Sequence, residues 1–211
     1  MARPKKSNTE EMATVKIENA FWKLLETEKY SEISVLRICQ ESGVNRNSFY
    51  YHYKDIDDLA STAFKNNAAD DVSEALFSVL LSSFRGSAAT SEAGVDPAIL
   101  PHSKKIMLCA SSNSVFLNRL VRDLLKQIWF DTLHINADDL SLIDELQVDF
   151  IFFGLTSILG RPEIQDSPLL MPELAQTEIG ESAINAMKSI AAKQNLYISL
   201  SFFIFFEVPH I

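Results

Sequence analysis

The chain is poor in the residues that mark several common protein classes. Its 211 residues include only 2 cysteines, 6 glycines and 7 prolines. Cys39 and Cys109 stand far apart in the sequence, which argues against both a disulfide framework and a cysteine-ligated metal site. The scarcity of glycine and proline is typical of a helical protein.

The four histidines give no sign of catalysis. His52, His102, His134 and His210 stand outside any H-E-x-x-H sequence, nucleophile elbow or glycine-rich phosphate loop. We therefore expect no enzymatic activity and no cofactor or metal.

Long hydrophobic runs are missing as well, and so is a cleavable signal sequence. We expect a cytoplasmic protein without a membrane partner, whose 47% hydrophobic residues bury one large core or two small ones. Residues 196–206 are nearly all apolar and have β character, but they are too few to span a bilayer. We expect this tail to be buried, and its role is left open.

Positive charge is scarce overall but concentrated near the N-terminus. The chain carries 19 Lys+Arg against 28 Asp+Glu, for a net charge of −9. Residues 1–54 hold 9 basic and 7 acidic residues, which leaves 10 basic and 21 acidic residues for 55–211. The basic arm Arg3-Pro4-Lys5-Lys6 suits contact with DNA phosphates or a minor groove. A basic end on an acidic body favours a protein that orients itself on DNA.

Residues 33–59, ISVLRICQESGVNRNSFYYHYKDIDDL, predict two short helices joined by a tight turn. Ser34 is placed to cap the first helix, and Gly43 supplies the positive φ that a sharp turn needs. One face of this helix is apolar at Val35, Ile38 and Cys39, with Cys39 expected as a small core residue.

The second helix is rich in side chains that suit DNA contact. Asn45 is its expected cap and Phe49 its inward anchor, while Tyr53 is also expected to pack. The residues then free to face outward are Arg46, Asn47, Ser48 and Tyr50. Arginine pairs with guanine, asparagine with adenine, and hydroxyl groups reach phosphates. The alternative is that Arg46 and Asn47 are simply solvated.

The same stretch resembles the TetR family of bacterial transcription regulators. The family pattern T-x-x-x-I-A-x-x-A-G-V-S-x-x-[TS]-[FL]-Y-x-[HY]-F-x-x-K-x-x-L is matched by Ser34 and the following VLRICQESGVNRNSFYYHYKDIDDL, within a resemblance over residues 12–64. An amphipathic first helix also fits, with its apolar side at Ile17, Ala20, Phe21, Leu24 and Leu25. One departure is Ile56, where the family often has a phosphate-binding lysine; Lys54 is then left to act alone. His52 is expected either to contact phosphate or to cap the helix end.

The resemblance implies an all-α fold with two parts. Residues 1–54 are expected to form a three-helix helix-turn-helix DNA-binding domain, and 55–211 a helical ligand-binding and dimerisation domain. The candidate DNA-binding residues are Ser34, Asn45, Arg46, Asn47, Ser48, Tyr50, Tyr51, His52 and Lys54. The expected partner is a palindromic double-stranded DNA operator, bound by a homodimer whose half-sites lie about 34–36 Å apart or a multiple of that spacing.

Beyond the motif, periodicity and capping residues predict further helices. Their expected spans are 55–66, 70–85, 103–111, 113–134, 138–159 and 177–194, with a loop over 86–101 and a proline-punctuated connection over 161–173. The helices at 138–159 and 177–194 are predicted to form a four-helix interface with a second copy; the alternative is an intrachain core.

The middle helices carry aromatic and apolar residues that are candidates for a small-molecule pocket: Phe84, Met107, Phe116, Leu120, Trp129, Phe130, Phe150 and Phe153. The resemblance implies that an unknown, largely apolar effector releases a repressor from DNA. The alternative is a helical adaptor with a TetR-like fold that has lost sequence-specific DNA binding.

Overall fold

In a computed structural model, residues 6–67, 100–167 and 170–206 are described, and they are helical without any strand. The first four helices are α1 (Lys6–Leu25), α2 (Val35–Ser42), α3 (Arg46–His52) and α4 (Ile56–Asn67). The later helices are α5 (Leu100–Ser111), α6 (Val115–Leu133), α7 (Leu142–Leu159), α8 (Pro162–Asp166), α9 (Leu170–Ala175) and α10 (Glu178–Phe206). Short 3-10 helices occur at Tyr30–Glu32 and Ala137–Asp139.

We call α1–α3 the head and α5–α10 the body; α4 connects them. The predicted apolar side of α1 is buried at all five positions. α4 packs against α1 on one side and against α5 and α6 on the other, so one buried cluster runs from Phe21 in the head to Phe152 in the body. The predicted domain boundary at residue 54 stays a prediction.

Several helix ends lie where the sequence places them. The Ser114 hydroxyl caps α6, and His134 ends it in the left-handed conformation with φ 54°. The start of α4 is a reciprocal pair: the Asp58 N–H donates to Asp55 at 2.8 Å, and the Lys54 N–H donates to the Asp58 carboxylate at 2.9 Å. These confirm the predicted helices over 113–134 and 55–66.

Three predictions about the body are wrong. α7 begins at Leu142 with Ser141 as its cap, whereas the sequence suggested a start near Asp138, which lies in a 3-10 turn. The connection over 161–173 contains the helices α8 and α9. The tail expected to have β character continues α10 to Phe206.

The helix predicted over 70–85, with Phe84, and nearly all of the loop predicted over 86–101 lie outside the described residues, as does most of the basic arm. Leu100 and Pro101, placed at the end of that loop, belong to α5. None of the described helices combines the length and the apolarity needed to cross a bilayer.

Candidate nucleic-acid interface

The α2–turn–α3 unit is held by local hydrogen bonds. The Ser34 hydroxyl accepts from the Arg37 N–H at 3.3 Å, and the Asn45 side chain accepts from the Ser48 N–H at 2.9 Å. Gly43 between them has φ 68°, a conformation that L side chains rarely adopt. The predicted caps and the predicted turn are confirmed, and together they set the direction in which α3 leaves α2.

The inner face of α3 packs on α1 and α2. Phe49 is completely buried and Tyr53 is 4% exposed, with ring centroids 5.7 Å apart, so both pack as predicted. The Tyr53 hydroxyl donates to Glu18 at 3.0 Å, and the Asn66 amide donates to the same oxygen at 2.9 Å. Burial and the Glu18 charge raise the pKa of Tyr53, so its hydroxyl stays a donor. α3 is therefore fixed from behind.

The outer face of α3 presents polar and aromatic groups to solvent. Arg46, Asn47, Tyr50 and Tyr51 are exposed, the two tyrosines at 58% and 69%. Ser48 and His52 are half-buried. A shallow, open depression of about 590 Å³ brings together Ala13, Asn45, Arg46, Asn47, Ser48, Tyr51 and His52. Most of the candidate DNA-binding residues thus share one surface.

Three candidates, Ser34, Tyr50 and Lys54, do not line this depression. Ser34 is exposed at the start of α2, where its hydroxyl is engaged as the cap. Lys54 is exposed between α3 and α4. Ile56 is half-buried and packs against the core.

The cations of the head divide into two groups. The Arg37 guanidinium lies 2.8 Å from Glu28 and 3.9 Å from Glu41, while Lys23 is paired with Glu41. The hydrogen bond from Lys23 lowers the pKa of Glu41, and the one to Glu28 raises the pKa of Arg37. The Lys23–Glu41 and Arg37–Glu28 pairs were not predicted because their partners are on different elements.

Arg46 and Lys54 belong to the second group. Neither side chain takes part in an ion pair within the described ranges. Both are exposed; Arg46 begins α3, and Lys54 follows directly after its C-cap. Their charge therefore remains available to an external anion such as a phosphate.

A second concave surface lies in the body. α7, α9 and α10 border an open, mainly apolar groove of about 790 Å³. Of the eight ligand candidates, this groove brings together Trp129 and Phe150. Sequence reasoning missed much of its wall, including Leu146, Ile151, Met171, Leu174 and Ile179.

The other described ligand candidates are dispersed. Phe116 stacks on Tyr30, and Phe153 lies under the Arg122 guanidinium at 4.0 Å. Leu120 and Phe130 pack partly buried against the core, and Met107 is half-buried. Trp129 is 6% exposed and makes an edge contact with Phe152 at 6.1 Å between centroids.

An apolar stripe on α7 adjoins the groove. Its members are Leu142, Ile143, Leu146, Phe150 and Phe153, all more than half exposed, and Ile179 of α10 is 79% exposed. Exposed apolar stripes of this kind are typical of surfaces that associate with another molecule.

No group of His, Cys, Asp and Glu residues within the described ranges has the arrangement of a metal site. Comparisons with protein-family models, with curated proteins and with solved structures found no match to this chain.

Proposed function

We propose that the chain is a TetR-like transcriptional regulator that binds a palindromic DNA operator as a homodimer through a helix-turn-helix. The observation that carries the proposal is the two-sided construction of α3. Phe49 is buried beneath a surface on which Arg46, Asn47 and Tyr50 are all exposed. An arginine, an asparagine and a tyrosine on one exposed helix face suit contacts with base edges and phosphates.

Each exposed group has a role suited to its chemistry. Arg46 and Asn47, in the first turn of α3, read base edges in the major groove. Ser34, Ser48, Tyr50 and Lys54 contact phosphates and fix the register. Asn45, Tyr51 and His52 border the depression and add polar contacts at its rim.

The homodimer forms through α7 and α10. Two observations support this interface: the exposed stripe on α7, and the neighbouring groove that α10 borders. A second copy related by a two-fold axis covers both surfaces with the same residues, giving a four-helix arrangement. Two heads then read two half-sites.

A small, largely apolar effector releases the operator. Trp129 and Phe150 border the groove on the face assigned to the dimer, so a ligand seated there changes how two copies pack. Release requires the ligand to prefer the state with separated heads. Apolar compounds that raise the unfolding temperature and also weaken duplex binding identify it; a screen in which stabilising compounds leave duplex binding unchanged contradicts this part.

The second candidate is a helical adaptor that does not bind DNA. Ile56 and the net charge of −9 favour it. The salt dependence of duplex binding separates the two, because a phosphate-contacting protein shows a log–log slope of about −0.9 per phosphate neutralised.

The test compares wild type with Lys54→Ala, using Lys65→Ala as the control. Lys65 is exposed in the last turn of α4, the end remote from Lys54. The proposal predicts that duplex affinity of wild type depends steeply on salt concentration. Lys54→Ala is expected to reduce the magnitude of the log–log slope by about one for each Lys54 removed, whereas Lys65→Ala leaves it unchanged. A flat slope for wild type favours the adaptor.

A further inference from the structure

Tyr30 lies where the head meets the body. It begins the 3-10 turn between α1 and α2 and is half-buried. Its ring stacks on Phe116 of α6, with centroids 6.1 Å apart and planes at 13°. The same ring makes an edge contact with Phe21 of the head core, at 6.4 Å and 90°. Both separations are within the range of favourable aromatic contacts.

The hydroxyl group of Tyr30 makes a third connection. It donates a hydrogen bond to Asp57 in the first turn of α4. Burial, reinforced by Asp57, raises the pKa of Tyr30, so the hydroxyl remains a donor at any physiological pH. One side chain therefore contacts α1, α4 and α6.

The wider packing makes this contact important for the orientation of α3. α3 packs on α2 and α1, α1 packs on α4, and α4 packs on α5 and α6 of the body. A second head-to-body contact places the Lys105 ammonium over the Trp22 ring at 5.1 Å. That contact is between a cation and a ring face, whereas Tyr30 combines a stack with a directional hydrogen bond.

We propose that Tyr30 is a positioning residue that couples the place of α6 to the orientation of the DNA-reading head. The coupling has two parts: the Tyr30 ring stacks on Phe116 of α6, and the Tyr30 hydroxyl is hydrogen-bonded to Asp57 at the start of α4. We call these two contacts the Tyr30 joint. A displacement of α6 is thereby passed to α4 through Asp57 and to α1 through Phe21, and α1 is one of the two helices on which α3 packs. This inference rests on the proposed function for its consequence in DNA binding, but the joint itself is measurable without DNA.

The experiment measures the head-to-body distance by electron paramagnetic resonance in the full-length chain. Spin labels are attached at Asn19→Cys on α1 and Asp123→Cys on α6, both exposed positions, in a Cys39→Ser background. Cys109 needs no replacement, because it is completely buried and burial raises the pKa of its thiol to about 12. Mixing with an excess of unlabelled chain ensures that the measured distances lie within one copy and not between two copies.

Tyr30→Phe is the principal variant, since it keeps the ring and removes the hydroxyl. The matched control is Tyr53→Phe, which also removes a hydroxyl bonded to a carboxylate, but within the head. We expect Tyr30→Phe to broaden or shift the distance distribution, while Tyr53→Phe leaves it unchanged. Asp57→Asn keeps an acceptor oxygen and is expected to retain the wild-type distribution. Phe116→Leu removes the stack and is expected to resemble Tyr30→Phe.

Operator binding supplies the second measurement. Tyr30→Phe is expected to weaken duplex affinity about fivefold, the equivalent of one hydrogen bond of about 1 kcal/mol. Identical distance distributions for wild type, Tyr30→Phe and Phe116→Leu overturn the inference. A changed distribution in a protein that binds no duplex supports the joint and overturns the proposed function, so the two failures are distinct.

Discussion

At the scale of single residues, two arginines of the head have opposite roles. Arg37 is neutralised by Glu28 and Glu41, while Arg46 is exposed with no ion-pair partner in the described chain. Both are cations next to the same turn, so composition alone does not separate them. The difference arises because Glu28, in the turn after α1, and Glu41 of α2 reach Arg37 but not Arg46.

Arg46→Ala and Tyr50→Phe are expected to have different effects on DNA binding. Loss of a base-reading arginine is expected to weaken binding by about 1–3 kcal/mol at one base position and to reduce the preference for a particular base there. Loss of a phosphate-contacting hydroxyl weakens every duplex similarly. Competition binding against single-base variants of an operator measures both, with Lys65→Ala as the control. Uniform loss for Arg46→Ala contradicts the assignment.

Asp144 gives the protein a predictable response to acid. It is 7% exposed, accepts from Lys193 at 2.8 Å and accepts from the Ser141 hydroxyl at 2.6 Å. The hydrogen bonds from Lys193 and Ser141 lower its pKa below the usual value. A lowered folded-state pKa means that the stabilisation is present above the unfolded pKa of about 4 and is lost as pH falls through the folded one.

Asp144→Asn is therefore expected to lower the free energy of unfolding near neutral pH. It is also expected to flatten the decline in stability below about pH 4, because the variant has no carboxylate to protonate. Urea unfolding at a series of pH values measures both effects, and Asp123→Asn on the exposed side of α6 is the control. Parallel pH profiles for Asp144→Asn and wild type contradict the role of this pair.

At the scale of helices, the helix ends that can be predicted from the sequence are those fixed by hydrogen bonds between neighbouring residues. Ser34, Asn45, Asp55 and Ser114 each accept a hydrogen bond from a backbone N–H three residues on. Such a bond depends only on residues that are close in the sequence, so it can be predicted from a single sequence. The same holds for the left-handed glycine at residue 43. The exposed surface of α3 follows from these ends, since they set which face Phe49 buries.

The start of α7 depends on a contact from far along the chain. Asn136, Asp138 and Ser141 are all suited to capping. The Gln194 side chain accepts from the Asn136 N–H at 2.8 Å and donates to its carbonyl at 2.9 Å. These bonds hold Asn136 in an extended conformation, the next three residues form a 3-10 turn, and α7 begins only after Ser141.

The tail and the Tyr30 joint were not predictable for related reasons. Extending an existing helix costs less than starting a new element, so α10 continues through residues with β character. Tyr30 meets Asp57 and Phe116 only after α1, α4 and α6 have packed. Pairing between elements leaves no periodic trace in a sequence.

Two glycines mark close crossings of helices and are expected to resist substitution. A Cβ on Gly160 would collide with the carbonyl group of Ala110, and one on Gly180 with that of Leu174. Because backbone cannot yield as a side chain does, Gly160→Ala and Gly180→Ala are expected to cost about 1–3 kcal/mol of stability. Thermal unfolding measures the change.

Gly154→Ala is the matched control, since a Cβ there meets nothing within 4 Å. In the interior of α7 it is expected to be neutral or to stabilise by up to about 1 kcal/mol. Equal unfolding temperatures for all three variants would show that the structure accommodates a Cβ at residues 160 and 180 without a steric clash.

At the scale of the whole molecule, the apolar stripe on α7 is a hydrophobic surface that an isolated chain exposes to water. Phe150 is 84% exposed, so changing it to glutamate costs an isolated chain little. In a dimer that buries the stripe, Phe150→Glu places two uncompensated charges in the interface. We expect the variant to be folded and monomeric, and to bind operator more weakly.

Val115→Glu is the control for this change. Val115 is 86% exposed at the start of α6, away from the stripe and the groove. Sedimentation equilibrium is expected to show dimers for wild type and Val115→Glu and monomers for Phe150→Glu. Dimers for all three proteins would place the interface elsewhere.

The proposed function requires that α3 reads DNA sequence in a two-fold symmetric assembly. Selection of bound duplexes from a random pool at low salt, with wild type and Arg46→Ala side by side, tests this requirement. We expect wild type to select a palindromic motif whose half-sites lie about one helical turn apart, or a multiple of it, and Arg46→Ala to lose one base preference. No enrichment with the wild-type protein would overturn the proposed function.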